Sequence, residues 1–292
     1  MRSFSMYHPA AVLIYFVCVL VITMFINIPL ILILSLSGAW VYHLLQDKGN
    51  FIRSIRFDII IFLVIAAANP IFTHRGKTIL LFMNGKPITL EALFYGVCMA
   101  VMMIGVIHWC RILTEIMTSD KLLYLCGKLA PNLSVVLSMS LRYIPLFRIQ
   151  SAKVNYSQTA MGLYSEDSYM NKAKGSMRVF SIVLTWSLEN AIDTANSMRA
   201  RGYGLGKRSQ FSNYRISMSD ILLIVGSVLL TSITLYGCTV GFVDFEFYPK
   251  LSKFSASVYA ILIYLSCGLL VFLPVLIELK EKLKWKFYRS RI

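Results

Sequence analysis

The sequence predicts an all-α integral membrane protein with about six transmembrane helices, long cytoplasmic helices and a possible small extracytoplasmic β-hairpin. Of its 292 residues, 57% are hydrophobic and only 15% are charged, whereas soluble domains are about 45–50% apolar and about 25% charged. Apolar runs long enough to cross a bilayer recur along the chain, and one long charged segment interrupts them. These observations indicate that the lipid bilayer is the environment of the protein.

Four spans are predicted in an N-terminal membrane bundle, residues 1–112. The apolar stretch 10–45 is roughly twice the ~20 residues that cross a bilayer, so it has to turn once. Asn27 and Pro29 are the plausible break, because proline removes a backbone donor and clashes with the preceding helical turn. The four predicted spans are 10–27, 28–46, 57–72 and 89–112.

Residues 78–89 have a different pattern, which favours a β-hairpin outside the membrane. Residues 78–83 are rich in strand-forming side chains, Asn84-Gly85 is a favoured two-residue turn, and residues 86–89 can return. Thr89 can then cap the fourth span, and Glu91 lies in its first turn, where a negative charge is favourable.

Residues 113–218 are predicted to be helical without crossing the membrane, since they lack a clean apolar run of 20 residues. One helix can begin at Ser119 or Asp120 and end before Pro131, and the next can begin at Asn132 or Ser134. Farther on, an apolar stripe recurs at three- and four-residue steps, as in an amphipathic helix: Phe180, Leu184, Leu188, Ala191, Ala195 and Met198. A third part, residues 219–292, contains spans near 219–242 and 255–277 and a basic tail.

The net charge of +15 is best explained by membrane orientation. No basic run is interleaved with exposed aromatic residues, so no nucleic acid partner is expected. Six spans place both termini on one side, and five basic residues then fall on the other: Arg75, Lys77, Lys86, Lys250 and Lys253. The positive-inside rule therefore predicts that both termini and residues 113–218 are cytoplasmic.

No sequence motif indicates an enzyme or a bound cofactor. Gly204 to Lys207 resembles a phosphate-binding loop, but Arg201 and Arg208 stand where that motif requires glycine and Ser or Thr. The six cysteines are scattered without a C-x-x-C pair. The four histidines, His8, His43, His74 and His108, are far apart in the sequence and form no H-E-x-x-H motif, so no metal site is expected.

Glu189 and Asp193 lie one helical turn apart, close enough to share a metal ion or a proton. The solvated face of an amphipathic helix produces the same spacing routinely, and we favour that interpretation. A membrane-embedded metal-dependent enzyme that uses this pair remains the alternative.

The triplet Ala200-Arg201-Gly202 is predicted to end a helix, and glycines at 202, 204 and 206 allow the chain to turn sharply there. A guanidinium at this position can present its planar donors to carboxylates or carbonyls of another protein. On the triplet alone, an ordinary helix C-terminus with a favourable cation is the better interpretation.

The order of the motifs resembles the transmembrane coupling subunit (T component) of energy-coupling factor (ECF) transporters, a family that includes the cobalt-type permease subunits. The resemblance is carried by LRYIPL at 141–146, by a helix ending Ala160-Met161-Gly162, and by a second helix ending Ala200-Arg201-Gly202 about forty residues later. It implies a membrane bundle with cytoplasmic coupling helices, in which Arg142 and Pro145 have structural roles.

The resemblance also implies partners: two ATP-binding cassette ATPase subunits, which bind the two terminal motifs, and a small membrane subunit that binds a vitamin or metal ion. The second motif, with Arg201, keeps the family's arginine, whereas Met161 replaces it in the first. Met161 then packs by shape and apolar contact, or Lys153 or Lys172 supplies the charge, or coupling to one ATPase is weak.

A permease that binds its own substrate is the remaining alternative. Such proteins usually carry ionisable residues within their spans. Here the predicted spans are nearly free of charge, with Asp58 and Glu91 only at their edges, which argues against it.

Overall fold

The computed structural model describes residues 4–46, 48–73, 76–83, 86–162, 169–206, 214–248, 252 and 257–289. Within them the chain forms a 3₁₀ turn (Phe4–Met6), a two-stranded sheet and nine helices. The helices are α1 (Pro9–Phe25), α2 (Pro29–Gln46), α3 (Lys48–Phe72), α4 (Leu90–Ile116), α5 (Ser119–Leu129), α6 (Pro131–Ala160), α7 (Tyr169–Ala200), α8 (Met218–Thr239) and α9 (Val258–Arg289). The chain divides into two compact units, Met1–Lys121 with Tyr214–Ile292, and Leu122–Asn213.

The first unit is a helical membrane bundle. Five helices of the described residues are long and apolar enough to cross a bilayer: α2, the part of α3 from Ile55 to Phe72, α4, α8 and α9. The sixth predicted span is α1, a shorter apolar helix of 17 residues. The all-α membrane fold is therefore confirmed, and the helix bounds lie close to the predicted spans.

Two helices are longer than the spans predicted from hydropathy. Helix α3 begins at Lys48 and not near residue 57, and α9 continues through the basic tail to Arg289. Neither extension contains proline, and lysine, arginine, glutamate and leucine are good helix formers, so the end of the apolar run does not end the helix. The Lys282 ammonium donates to the carbonyl of Leu45 near the C-terminus of α2, where a cation is favourable.

The predicted hairpin is confirmed as β1 (Ile79–Met83) paired antiparallel with β2 (Lys86–Thr89). Its turn residues, Asn84 and Gly85, lie outside the described residues. Thr89 caps α4, since its hydroxyl accepts from the Ala92 amide at 3.4 Å. Glu91 has a second role besides its favourable position at the helix N-terminus. Its buried carboxylate accepts a hydrogen bond from the amide of Thr78 at 3.2 Å and so fixes the hairpin to α4.

The core of the bundle is aromatic and contains a buried polar network. Phe4, Tyr15, Phe16 and Trp109 are fully buried and meet edge to face. The Trp109 indole N–H donates to the Ser35 hydroxyl at 3.0 Å, so the buried donor is satisfied. These contacts join α1, α2 and α4 into one core.

The N-termini of α1 and α8 share one carboxylate. Asp220 accepts from the amide of His8 at 2.8 Å and from the amide of Ser217 at 2.7 Å. Beyond the end of α4, the buried Lys121 ammonium donates to the carbonyls of Ser5 and Ile116, at 2.6 and 2.8 Å. Burial lowers the pKa of Lys121. Polar groups thus hold the N-terminal segment against α4 and α8.

Candidate functional site

The second unit contains an antiparallel pair of long helices, α6 and α7. The Tyr143 hydroxyl lies 2.9 Å from the Thr194 hydroxyl, and the Phe147 and Trp186 rings meet edge to face with centroids 6.2 Å apart. As the residue number rises along α6, its partner number falls along α7, so the two helices run in opposite directions. Fully buried contacts are few, because Gly175 and Val179 are the buried residues of α7.

The antiparallel arrangement places the two predicted motifs at opposite ends of the pair. Counted from the contact of Phe147 with Trp186, α6 continues 13 residues to Ala160 and α7 continues 14 residues to Ala200. At about 1.5 Å per residue, each motif lies roughly 20 Å from that contact, in opposite directions. The two motifs are therefore roughly 40 Å apart along the helix pair.

Both motifs end their helices with the same backbone geometry. Met161 and Arg201 are the last residues before a glycine with positive φ, which is 81° at Gly162 and 78° at Gly202. At the second motif, the amide of Gly202 donates to the carbonyl of Arg199 and that of Tyr203 to the carbonyl of Met198, both at 3.0 Å. This bond pair is the Schellman motif, for which glycine is preferred because its φ is positive.

The side chains at these ends are presented to solvent in the isolated chain. Met161 is 71% exposed, and Arg201 is also exposed. Lys153 and Lys172, the proposed substitutes for a first-motif arginine, are exposed as well.

The apolar stripe of α7 stays largely exposed beside the residues that contact α6. Phe180 is 63% exposed, Leu184 44% and Leu188 58%, whereas the residues that contact α6 or are buried include Val179, Trp186 and Thr194. The stripe therefore adjoins the contact face on the same helix. It is only partly covered inside this unit.

An open cleft lies between α6 and α7. It has a volume of about 750 Å³ and is lined by Phe147, Ala152, Val179, Phe180 and Leu184, among others. Its wall is mostly apolar, with the hydroxyls of Ser151 and Ser187 at its margin. The cleft continues the exposed apolar surface that begins at the stripe.

Arg142 and Pro145 lie in the first half of α6, and both side chains are exposed. Proline within a helix lacks the amide that would bond four residues back, here to the carbonyl of Leu141. The helix nevertheless continues to Ala160. Arg142 adjoins Tyr143, whose hydroxyl contacts α7, so the LRYIPL segment includes the point where the two helices meet.

Glu189 and Asp193 are both exposed on α7. Within the residues that the structure describes, no group of three or more His, Cys, Asp or Glu side chains is arranged to hold a metal ion. The pair is therefore found on a solvent-facing surface, as the favoured interpretation of its spacing predicts.

A buried ionisable cluster, which sequence reasoning missed, lies in the membrane bundle. Asp58 of α3, His108 of α4 and His43 of α2 are at most 3% exposed. Asp58 Oδ2 is 2.8 Å from His108 Nε2, and His108 Nδ1 is 3.3 Å from His43 Nδ1. Asp58 lies in the first turn of the apolar segment of α3, near the edge of the span as the sequence predicts, but its side chain is buried.

Topology carries a signal that could have revealed this cluster. Consecutive spans cross the bilayer in alternating directions. The end of one span, the start of the next and the end of the third therefore lie at a similar depth in the bilayer. His43 near the end of α2, Asp58 in the first half of α3 and His108 near the end of α4 satisfy that condition. Sequence separation alone had suggested that the histidines were unrelated.

Comparison with known proteins identifies the family to which this chain belongs. Residues 5–212 match the family model CbiQ, described as cobalt transport protein. The chain is 26% identical over 175 residues to the energy-coupling factor transporter transmembrane protein EcfT of Listeria innocua. This match covers 56% of this chain and 66% of that protein. It is 28% identical over 102 residues to EcfT of Lactococcus lactis, and 26% identical over 106 residues to EcfT of Lactobacillus helveticus.

The matched stretches span less than two thirds of the curated relatives' own lengths, at 66%, 38% and 38%. The family model, however, covers well over half of this chain, including α1 to α7 and both terminal motifs. The matching proteins share a name as the transmembrane component of one transporter class. This multi-pass membrane protein therefore belongs to the CbiQ family of cobalt transport proteins.

Proposed function

We propose that this protein is the transmembrane coupling subunit of an ATP-driven ECF-type importer. In this proposal two ATP-binding cassette ATPase subunits bind its two terminal motifs, and a separate small membrane subunit binds the substrate, a vitamin or a metal ion. The observation that carries it is the pair of helix ends at Met161 and Arg201, each followed by a glycine with positive φ, at opposite ends of one antiparallel pair. Two sites placed this way suit two ATPase subunits.

The exposed faces of α6 and α7 suit a second role for the same unit. Contiguous exposed apolar surface usually marks an interaction site. The α7 stripe and the adjoining cleft offer such a surface over residues 180–188. We assign it to the substrate-binding subunit, whose own surface in a membrane is apolar.

The proposed mechanism is mechanical. ATP binding and hydrolysis in the ATPase subunits move the two helix ends, and the helices transmit this motion to the substrate-binding subunit. Burial of apolar surface has little directional preference, so helices can slide against each other while their ends stay bound. The ATPase subunits would carry the catalytic residues, and this chain would be no enzyme.

The orientation belongs to the same proposal. ATPase subunits use cytoplasmic ATP, so residues 113–218 and both termini should be cytoplasmic. The basic residues of the tail, including Lys280 and Lys284, lie in the extension of α9 beyond its apolar part. This placement agrees with the positive-inside rule.

The proposal is tested by affinity purification in mild detergent from cells that express the chain with its partners. We expect two ATPase chains and one small hydrophobic protein to co-purify. Arg201→Ala should weaken ATPase retention, because truncation of a buried interface arginine costs on the order of 2 kcal/mol, or roughly 30-fold in affinity. Arg199→Ala is the matched control, since Arg199 is exposed two residues earlier on the same helix.

The two alternatives give different results in the same assay. If Glu189 and Asp193 form a metal-dependent active site, Glu189→Gln with Asp193→Asn abolishes function while Arg201→Ala does not. If the chain is a self-sufficient permease, it transports substrate after reconstitution without other subunits. Unchanged ATPase retention and unchanged uptake in Arg201→Ala would refute the docking role of this residue.

A further inference from the structure

The buried cluster of Asp58, His108 and His43 is unlike the remainder of the membrane bundle, whose interior is mainly apolar and aromatic. Each residue comes from a different span, α3, α4 or α2. Ionisable residues are expensive within a bilayer, and they usually mark a site that binds or moves an ion or a proton. We propose that these three residues form a buried proton-binding site.

The net charge of the cluster depends on how many protons it holds. With Asp58 ionised and both imidazoles neutral, the cluster carries one negative charge. One additional proton makes it neutral, whether the proton rests on Asp58 or on the paired imidazoles. The net charge of the cluster is therefore the same whichever residue holds the additional proton.

The apolar surroundings of the cluster disfavour a net charge on it. An uncompensated charge in an apolar interior costs several kcal/mol, even after structural relaxation. Asp58 is 3% exposed, and among the described residues its Oδ1 atom is buried with no hydrogen-bond partner. The carboxylate therefore depends on the His108 side for compensation, and a net negative charge at this buried position is unfavourable.

The hydrogen-bond geometry is consistent with a bound proton. His108 has one nitrogen 2.8 Å from the Asp58 carboxylate and the other 3.3 Å from a His43 nitrogen. A proton shared with Asp58 on one side leaves His108 able to pair with His43 on the other. The three side chains thus form one continuous path across α3, α4 and α2.

Glu91 of α4 is buried at the opposite end of that helix from His108, and the other described charged groups on the surrounding helices are exposed or partly exposed. Helix α3 contributes Arg56, α4 contributes Arg111 and Glu115, and α9, which packs on α2, contributes Glu278 and Lys282. All five are exposed or partly exposed. The ion pair that the cluster itself contains is Asp58 with His108, at 2.8 Å.

A metal ion is the competing ligand for two histidines. The described residues hold no group of three or more ligand-type side chains suited to a metal, and Asp58 lies beside the His108 nitrogen that points away from His43. Two nitrogens are fewer ligands than Zn²⁺ takes in a structural site. We therefore assign the cluster to a proton, and metal binding is an outcome of the test.

Release of the proton should weaken the packing of α3. Only 11% of the apolar window of this helix is buried inside the bundle, and its packing there is mainly on α4. A net negative charge between α2, α3 and α4 then opposes their association. The bundle is expected to be more stable with the proton bound, at lower pH.

The test is the melting temperature of the purified full-length protein in detergent, from about pH 6 to about pH 9, where histidine-linked protons are commonly released. The wild type should lose roughly 5 °C or more across this range. Asp58→Asn, which removes the ionisable carboxyl, should flatten the profile. Glu115→Gln removes an exposed carboxylate from α4 and should keep the wild-type slope.

Two outcomes would overturn the proposal. Equal slopes in the wild type and Asp58→Asn would show that the cluster does not control the pH dependence. A Co²⁺ absorption band that is lost in His43→Asn or His108→Asn would show a metal site instead. If Asp58→Asn fails to fold, infrared and ¹⁵N-histidine spectra of the wild type decide, because proton release must change either the carboxyl band or the imidazole signals.

Discussion

Met161 and Arg201 occupy equivalent positions and differ only in the chemistry of the side chain. Each precedes a glycine with positive φ, and each is exposed. The backbone therefore supports the same mode of presentation at both ends. In the proposed complex, a difference in ATPase binding between the two ends is expected to arise from these side chains.

Met161→Arg should strengthen binding of the ATPase at the first motif. The substituted side chain gains a planar, charged donor group at a position where 71% of the methionine is exposed. We expect more ATPase to be retained during purification, by a few-fold. Reduced retention would instead indicate an apolar groove that fits methionine, and Tyr156→Arg, one turn earlier on α6 and also exposed, is the control.

Gly202→Ala should destabilise the end of α7. The left-handed conformation costs an L-residue about 1–2 kcal/mol, and Gly202 has φ of 78°. Amide hydrogen exchange at Tyr203 should accelerate roughly five- to thirty-fold, since that amide bonds the Met198 carbonyl. Gly206→Ala is the control, because Gly206 lacks a positive φ and an added Cβ there meets nothing within 4 Å. Equal exchange rates in the two variants would contradict this account of the cap.

Local chemistry at the residue scale was largely predictable, and contacts between distant residues were not. Thr89 caps α4 as its position before an apolar run indicated. The pairing of Asp58 with His108, 50 residues away, depends on the rotation and depth of two helices. Hydropathy gives the span but neither of those quantities.

At the scale of elements, α3 and α4 approach closely through a glycine. A Cβ added at Gly96 would lie 2.9 Å from the carbonyl oxygen of Ala66, a backbone atom that cannot rotate away. The Asn69 amide also donates to the Ala92 carbonyl at 2.6 Å in the same region. The two helices are thus joined by close packing and by a polar contact.

Gly96→Ala should lower the melting temperature of the protein. Overpacking of a core typically costs about 1–3 kcal/mol, which in a protein of this size corresponds to several degrees. Gly105→Ala on the same helix should be neutral or stabilising, because its Cβ would meet Thr23 at an ordinary 3.6 Å and alanine favours helix. A Gly96→Ala protein as stable as Gly105→Ala would show that α3 moves aside without cost.

Element types were predictable from periodicity, whereas the use of each face was not. The apolar stripe of α7 indicated an amphipathic helix, and α7 is a helix of 32 residues. The stripe nevertheless stays largely exposed beside the contact with α6, where Trp186 and Thr194 take part. An apolar stripe identifies the helix face that is removed from water. It does not show whether the same chain or a partner protein covers that face.

At the scale of the whole molecule, two units have distinct chemistry. The membrane bundle buries its aromatic side chains, as Trp109 and Tyr15 show. The unit Leu122–Asn213 has a weakly buried interior and many exposed apolar side chains, including Met170 and Ile192. A unit of this kind is expected to complete its packing with partner subunits.

The central claim, that the two terminal motifs bind two separate ATPase subunits, is tested most directly by photo-crosslinking in the assembled complex. A crosslinking residue is placed at Thr159 or at Tyr203, which are exposed beside the two motifs without replacing Met161 or Arg201. We predict that each position crosslinks to an ATPase subunit, and that a chain carrying both acquires two ATPase copies. Crosslinks from both positions to one copy, or none from either, would contradict the claim.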